Sequence, residues 1–288
     1  MEKRSFHNPE YIREHKEKKR KQLLLRVSVV LGILVILIGG FAGLTQWKKL
    51  QIDMITVSGT TILSPQDIQN TTRQFISGNY FFIFAKNNAL LYPRKGLQSF
   101  LVTQFPRINT ITIGLQSYHT VNITLSERQP FALWCGSAPT LDDQSASSTP
   151  TLSSDCYFLD STGFVFDRAP EFSGDAYFRY YGLVPYASAI GSTYLSEPGE
   201  FAQISKFETQ VKSLNITPLY IVAIDDHDFE LHLYGGGKII FNDTDLAHTS
   251  DRLQLLLQKA NLIPQKDGEL LVQYIDLRFG DKVYYKVR

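Results

Sequence analysis

Acidic and histidine side chains cluster between residues 225 and 232, and these residue types could bind a metal ion. Asp225-Asp226-His227-Asp228 and His232 offer carboxylate oxygens and imidazole nitrogens, which are ligands of zinc and related cations. The same stretch separates two apolar runs, and polar residues in that position are typical of a solvated turn between strands. We interpret the stretch as a turn, so the sequence predicts no metal site and no cofactor.

A glycine run, Gly235-Gly236-Gly237, precedes Lys238 and has the composition of a phosphate-binding loop. It lacks the Lys-Ser/Thr pair of a P-loop, and no helix pattern follows it. Because the run joins two apolar segments, it is instead typical of a hairpin turn that needs positive φ angles.

Motifs of covalent catalysis are missing from the sequence. It contains neither G-x-S-x-G nor Ser-x-x-Lys, and the absence of the second argues against the serine acyltransferases that are common outside bacterial membranes. We therefore expect a protein that is not an enzyme and that acts by binding.

The two cysteines, Cys135 and Cys156, flank a polar segment at residues 136–155. Their positions at the two ends of one loop favour a disulfide bond if this part of the chain lies in an oxidising compartment. The alternative is a pair of unpaired, small apolar side chains.

Residues 27–47 form an apolar run without a formal charge and predict a transmembrane helix. A helix of this length rises roughly 31 Å, which is enough to cross the hydrocarbon core of a bilayer. The preceding arm, residues 1–26, holds nine Lys or Arg and four Glu, which gives it a net charge of +5. The whole chain has a net charge of +1, so the remainder carries −4. Positive charge stays on the cytoplasmic side, which predicts a type II single-pass protein with a cytoplasmic N-terminus and an extracytoplasmic body.

A cleaved signal peptide is the alternative interpretation of this region, with Gly40-Phe41-Ala42 as a small-residue cleavage site. The long charged arm and the length of the apolar run favour an uncleaved anchor. Within the run, Gly39 and Gly43 form a G-x-x-x-G spacing, which would support weak self-association of the helix.

The basic arm itself has the composition of a nucleic-acid-binding segment. Next to a membrane span, however, clustered Lys and Arg set topology and contact anionic lipid. We therefore expect the membrane, and no nucleic acid, to be the partner of residues 1–26.

Two units are predicted beyond the span, and recurring β-branched and aromatic residues favour a strand-rich α+β protein. The first, residues 52–127, has the order strand, helix, helix, strand, strand. Ser64 and Pro65 are typical of the start of its first helix. An amphipathic segment at residues 88–105 predicts its second helix. Pro93 lies inside this segment and would delay the start of the regular helix to that point.

The second predicted unit, residues 128–288, is a mixed β domain with helices at residues 200–214 and 244–261. Apolar alternation predicts its strands, at residues 131–135, 156–160, 164–167, 177–181, 219–224, 229–234, 238–241, 271–279 and 282–287. The last two are expected to pair antiparallel at the C-terminus. Asp276 and Arg278 share one face of their strand and are expected to form a structural ion pair.

Four motifs behind the membrane anchor carry a resemblance to a known family. They read ITVSG at 55–59, ERQPFALW at 127–134, YFLDSTGFVF at 157–166 and YIDLRFGDKV at 274–283. With these motifs the chain resembles the FtsQ/DivIB bacterial cell division proteins over residues 27–288. The polar loop between the two cysteines departs from the family pattern.

The resemblance implies a POTRA domain at residues 52–127 and the family's β domain at residues 128–288. It implies a scaffold that recruits and connects divisome proteins and helps to control septal peptidoglycan synthesis. The implied partners are FtsB-like and FtsL-like single-span proteins, and the implied location is the cell membrane at the division septum.

The last predicted strand, residues 282–287, is expected to form an uncovered sheet edge, since only Arg288 follows it. Such an edge can accept an added strand from a partner. The resemblance points to the same region, because family members bind FtsB along their last strands. The predicted partner-binding residues are Phe279, Lys282, Val283, Tyr284, Tyr285 and Lys286. The alternative is that these aromatic residues pack against the helix predicted at residues 244–261.

Two other classes of function stay open at this stage. A POTRA-bearing component of a transport or secretion system would bind a substrate chain in transit, and an ectoenzyme of wall metabolism would carry out chemistry outside the membrane. Neither is expected to concentrate at mid-cell, whereas a division protein is.

The charge asymmetry predicts the topology directly. A reporter enzyme that is active only outside the cytoplasm is expected to work when fused after Gly59, because the basic arm holds the N-terminus inside. Reporter activity confined to the cytoplasm would reverse the scheme. Mass spectrometry of the membrane-extracted protein is expected to find residues 1–42 retained, and a mature start near Gly43 would indicate a cleaved signal peptide.

Overall fold

The computed structural model describes residues 9–139, 155–171, 176–184 and 188–288. Helices and a large mixed sheet occur together, which confirms the predicted α+β class. The helices are α1 Pro9–Thr45, α2 Pro65–Phe75, α3 Arg94–Gln104, α4 Glu200–Ser213 and α5 Leu246–Lys259. The strands are β1 Met54–Ser58, β2 Asn79–Tyr80, β3 Phe84–Ala85, β4 Ile108–Leu115, β5 Thr120–Glu127, β6 Ala132–Trp134, β7 Tyr157–Leu159, β8 Val165–Arg168, β9 Arg179–Tyr181, β10 Pro218–Ala223, β11 Asp228–Leu233, β12 Lys238–Asn242, β13 Val272–Phe279 and β14 Lys282–Val287.

Helix α1 contains the predicted membrane span. Its portion Lys19–Thr45 is long and apolar enough to cross a membrane, and its most apolar 18-residue segment has a mean hydropathy of 2.7. Only 6% of that 18-residue segment is buried by the rest of the described chain. Side chains such as Leu31 and Ile36 are exposed on all sides of the helix, which is the pattern of a helix surrounded by lipid.

The chain divides into two compact units. Unit 1 comprises the chain up to Leu101 together with Ile111–Leu125, and unit 2 comprises Val102–Thr110 together with Ser126–Arg288.

Unit 1 is built on a three-stranded sheet with the order β1-β5-β4, in which β1 runs parallel to β5. Alternate residues of β5, Val121 and Ile123, are fully buried, so one face of the sheet forms the core. Gly59 has a φ of 88°, and a Cβ atom there would lie 1.9 Å from the carbonyl oxygen of Leu125. Only glycine fits this turn after β1.

The helices of unit 1 begin where the local sequence favours them. Ser64 caps α2 by accepting a hydrogen bond from the backbone N–H of Asp67 at 3.3 Å. Helix α3 begins at Arg94 and not at residue 88, because Pro93 cannot donate a backbone hydrogen bond within a helix. The predicted order of elements is observed, with the short hairpin β2–β3 between the helices as an addition that the sequence analysis missed.

Unit 2 contains a nine-stranded sheet with the order β14-β13-β12-β11-β10-β9-β6-β7-β8. Its strands differ from the predicted ones only at their ends, and β13 and β14 are antiparallel as expected. Helices α4 and α5 contribute to the larger apolar cluster of the unit, where the ring of Phe207 lies 4.7 Å from that of Phe241 and Leu253 is fully buried. This packing gives the sheet one face covered by helices.

Two of the sequence motifs meet within unit 2. Arg128, from the ERQPFALW segment, donates a hydrogen bond to the carboxylate of Asp160, from the YFLDSTGFVF segment. Its guanidinium group also lies 4.1 Å from the centre of the Phe164 ring. Asp160 in turn accepts hydrogen bonds from the backbone N–H groups of Thr162 and Phe164. The motif residues therefore fold the β7–β8 turn against the start of the domain.

Cys135 and Cys156 form a disulfide bond across a sequence separation of 21 residues, with their Cα atoms 4.2 Å apart. Both belong to a second apolar cluster, which also contains Phe158 and Tyr181. Neighbouring residues of one strand belong to different clusters, since Tyr180 is in the larger cluster and Tyr181 is in this one. Most of the intervening polar segment, residues 140–154, lies outside the described residues.

Replacing either cysteine by serine is expected to lower the free energy of unfolding by about 3 kcal/mol, because the bridge limits the entropy of a loop of roughly twenty residues in the unfolded chain. Thermal unfolding of the full chain in detergent measures this loss, and membrane insertion is expected to be unchanged. A double Cys135→Ser, Cys156→Ser variant is the control, since it should be no less stable than either single variant. Two free thiols in the denatured, non-reduced protein would contradict the bridge.

Candidate functional site

Strand β14 forms one edge of the sheet in unit 2. It pairs with β13 through Ile275↔Tyr285 and Asp276↔Tyr284, and within the described residues no strand pairs with its other side. Its outer edge therefore carries a row of backbone N–H and C=O groups without strand partners. Such a row is a template for one further strand.

Exposed aromatic side chains flank this edge. Phe279 and Tyr284 are 54% and 51% exposed, and their rings meet edge to face with centroids 5.3 Å apart. Tyr285, on the opposite face of the strand, is 43% exposed. Aromatic rings that are held in place but remain accessible are suited to anchor a partner.

Val283 differs from the other predicted partner-binding residues. It is half-buried and packs against the larger apolar cluster of unit 2, so its side chain supports the sheet. The alternative interpretation, in which the aromatic residues pack against α5, is at odds with the exposure of Phe279, Tyr284 and Tyr285.

The edge is positively charged. Lys282 and Lys286 are exposed, and neither forms a salt bridge within the part of the chain that the structure describes. Arg288 follows and lies 3.6 Å from the carboxylate of Glu269. Unpaired lysines beside a strand edge favour an acidic partner segment.

An ion-pair network lies at the end of β13, next to the β13–β14 turn. The guanidinium group of Arg278 donates hydrogen bonds to Asp276, at 3.0 and 2.7 Å, and to Asp228, at 2.6 Å. These carboxylates raise the pKa of Arg278 above its usual value, so its charge is permanent. The predicted Asp276–Arg278 pair is confirmed. Arg278 also lies 5.7 Å from the Phe279 ring centre, which connects the network to the exposed aromatic pair.

The acidic and histidine residues are distributed differently from the cluster considered in the sequence. His227 lies beside Glu200 and Asp243, and the potential ligand atoms of the three lie within 4.8 Å of one another. His232 is separate from them, because it contacts Glu230 and stacks on Tyr220. Two carboxylates and an imidazole suit either a divalent cation or a shared proton.

The turn interpretation of residues 225–228 is confirmed, because a side-chain oxygen of Asp225 accepts hydrogen bonds from the backbone N–H groups of His227 and Asp228 at 2.9 and 2.8 Å. The glycine run is likewise a hairpin turn between β11 and β12, with φ angles of 80° and 93° at Gly235 and Gly236.

Two residues of the cluster, Glu200 and His227, have raised pKa values. Burial, with a smaller contribution from the neighbouring Asp243, raises the pKa of Glu200 to about 7. The hydrogen bond between Asp243 and the His227 ring, 2.8 Å long, raises the pKa of the imidazole. Glu200, at the start of α4, and Asp243, just after β12, escaped prediction from the sequence because only the folded chain brings them to His227.

A scan against protein-family models and a search of the curated proteins find no match for this chain. The function is therefore argued from the residues and the geometry described above.

Replacing Glu200 by glutamine is expected to stabilise the protein against heat at pH 8 and to change little at pH 4.5. The carboxyl group ionises near pH 4.5 in the unfolded chain and near pH 7 in the folded one. Between these values the folded state holds a proton that the unfolded state has lost, so stability falls as pH rises. Glutamine cannot ionise and escapes this loss.

Thermal unfolding across the pH range measures the effect, with Glu171→Gln as the control at an exposed carboxylate outside the cluster. Equal melting temperatures of wild type and Glu200→Gln at pH 8 would contradict the assigned ionisation.

Proposed function

We propose that this protein is a membrane-anchored scaffold of bacterial cell division, similar to the FtsQ/DivIB proteins, and that it acts by binding and not by catalysis. The observation that carries the proposal is the outer edge of β14, which lacks a strand partner among the described residues and is flanked by exposed aromatic and lysine side chains.

The proposed anchor is α1, crossing the membrane once with the basic N-terminal arm in the cytoplasm. The length and apolar surface of Lys19–Thr45 support the crossing, and the charge asymmetry around it supports the orientation. Under this proposal both units lie outside the cytoplasm, where the Cys135–Cys156 disulfide is stable.

The proposed POTRA domain corresponds to unit 1 beyond α1. Its order of strand, helix, helix, strand and strand, and the parallel pairing of β1 with β5, support this assignment. The proposed FtsQ-like β domain corresponds to unit 2, and the contact between its two motif segments through Arg128 and Asp160 is consistent with it.

The proposed mechanism is addition of a partner strand to β14. An incoming segment would exchange backbone hydrogen bonds with the edge, place apolar side chains against Phe279 and Tyr284, and bring acidic residues to Lys282 and Lys286. Because β14 is already paired with β13, and the Arg278 network joins the end of β13 to β11, little conformational freedom would be lost on this side of the interface. FtsB-like and FtsL-like single-span proteins are the proposed partners, recruited to the septum where peptidoglycan synthesis is controlled.

Side-chain substitutions at the edge test this mechanism most cleanly, because deletion of residues 282–288 would also remove Val283 from the core. Tyr284→Ala is expected to weaken binding of the FtsB-like partner by about 1–3 kcal/mol, or roughly 5- to 150-fold in Kd. Lys282→Glu combined with Lys286→Glu is expected to weaken it further at low salt. Titration of the purified full-length proteins in detergent measures both effects.

The matched control for the charge reversal is Lys95→Glu with Lys206→Glu, which makes the same change at exposed lysines of α3 and α4. Control and edge variants should unfold at similar temperatures. Wild-type affinity in both Tyr284→Ala and the Lys282/Lys286 double variant would place the binding surface elsewhere.

A further inference from the structure

The turn between β2 and β3 presents two phenylalanines away from the protein. Phe81 and Phe82 are 84% and 96% exposed, more than any other large apolar side chain of the described residues. Their φ angles are 49° and 64°, and the backbone N–H of Ile83 donates a hydrogen bond to the carbonyl of Tyr80 at 3.0 Å. This is the geometry of a hairpin turn that ordinarily carries Asn-Gly.

Two phenylalanines are an unfavourable choice for this turn. Positive φ angles crowd the Cβ atom of any residue other than glycine, and exposed aromatic rings gain no packing energy in water. A backbone outlier that is not explained by the packing of the fold is a reason to look for a function.

The hairpin is fixed to the end of α1 that adjoins the folded domain, all within unit 1. The Phe84 ring lies 5.6 Å from the Phe41 ring of α1, and the side chain of Gln46 donates a hydrogen bond to the carbonyl of Ile83 at 3.2 Å. The buried side chain of Asn88 donates to the carbonyl of Thr45, the last residue of the helix, at 3.0 Å. These contacts therefore define the position of the hairpin along the axis of α1.

This position along the axis of α1 lies within the stretch that is proposed to span the membrane. Phe41 precedes Thr45, the last residue of α1, by four residues, or about 6 Å along a helix that rises roughly 1.5 Å per residue. If α1 crosses the bilayer, Phe84 lies level with apolar residues of the span, and the carbonyl of Ile83, next to Phe82, lies level with Gln46 just beyond the end of the helix. Tyr80 and Lys86 form a cation–π contact at 5.3 Å beside it, and both residue types favour the headgroup layer.

We propose that Phe81 and Phe82 insert into the leaflet that faces the folded domains, so that the β2–β3 turn is a second membrane contact beside α1. The inference rests on the membrane crossing in the proposed function. A lipid surface is the partner because the turn is continuous with the span through Phe84 and Phe41. Two attachment points fix the tilt of unit 1 on the bilayer, which a single helix followed by a free linker would not do.

Nitroxide labels on the full-length chain in vesicles of phosphatidylcholine and phosphatidylglycerol test the insertion. The native cysteines are joined in a disulfide, so a label attaches only to an introduced thiol. Phe82→Cys reports on the turn, Ile36→Cys on the middle of α1, and Gln66→Cys on the exposed start of α2. Collision rates with oxygen, which concentrates in the bilayer, are compared with those of a water-soluble nickel chelate.

At position 82, oxygen collisions are expected to exceed chelate collisions, with a ratio between those at positions 36 and 66. A bilayer signal at position 36 together with an aqueous signal at position 82 would overturn the insertion and leave the anchor intact. An aqueous signal at position 36 would overturn both the anchor and the insertion. Shielding of position 82 from both reagents that grows with protein density would indicate a protein contact and would also overturn the proposal.

A second variant separates insertion from a role in folding. Phe81→Asn with Phe82→Gly supplies the residues that the turn prefers, so thermal stability in detergent is expected to be retained or raised. A label at Ile83→Cys is expected to lose its bilayer signal in this background and to match position 66. An unchanged signal at position 83 combined with a lower melting temperature would show that the two phenylalanines support the fold, and would overturn the proposal.

Discussion

The apolar surface of α1 is the constraint on which the rest of this protein depends. Side chains such as Leu31, Ile36 and Leu37 are covered by no other described part of the chain, and water cannot solvate so long an apolar helix without a large free-energy cost. Lipid is the environment that removes this cost. The Asn88–Thr45 hydrogen bond and the backbone hydrogen bond from Ala89 to Leu50 connect the end of α1 to the rest of unit 1. A membrane around α1 would therefore also constrain the position of the folded part of unit 1.

A second constraint is the open edge of the sheet in unit 2. Exposed strand edges risk uncontrolled pairing, and proteins limit that risk by placing lysines along them. Lys282 and Lys286 suit this purpose and would at the same time select an acidic partner. The Arg278 network connects the end of β13, beside Phe279, to Asp228 of β11, so several strands support this end of the edge. Under the proposed mechanism the protein acts through the affinity of this edge for a partner strand.

The sequence predicted those features that depend on local pattern. The charge-free run predicted the apolar part of α1, alternation predicted β10 to β14, and spacing two residues apart predicted the Asp276–Arg278 pair. The short hairpin β2–β3 escaped prediction because contacts with α1 hold it, and because Phe81-Phe82 carries no turn signal. Val283 points inward because of the register of its strand, and a register shifted by one residue would turn it outward. Glu200 and Asp243 meet His227 only through the folded chain.

The measurement that tests the central claim most directly is imaging of dividing cells that express the full-length protein with a fluorescent protein fused to its N-terminal arm. The account predicts a membrane-bound signal that concentrates in a band at mid-cell as division proceeds. It also predicts that the signal becomes soluble when α1 is removed. A signal spread evenly around the membrane throughout the division cycle would contradict a division scaffold, even if the protein proved to be anchored as proposed.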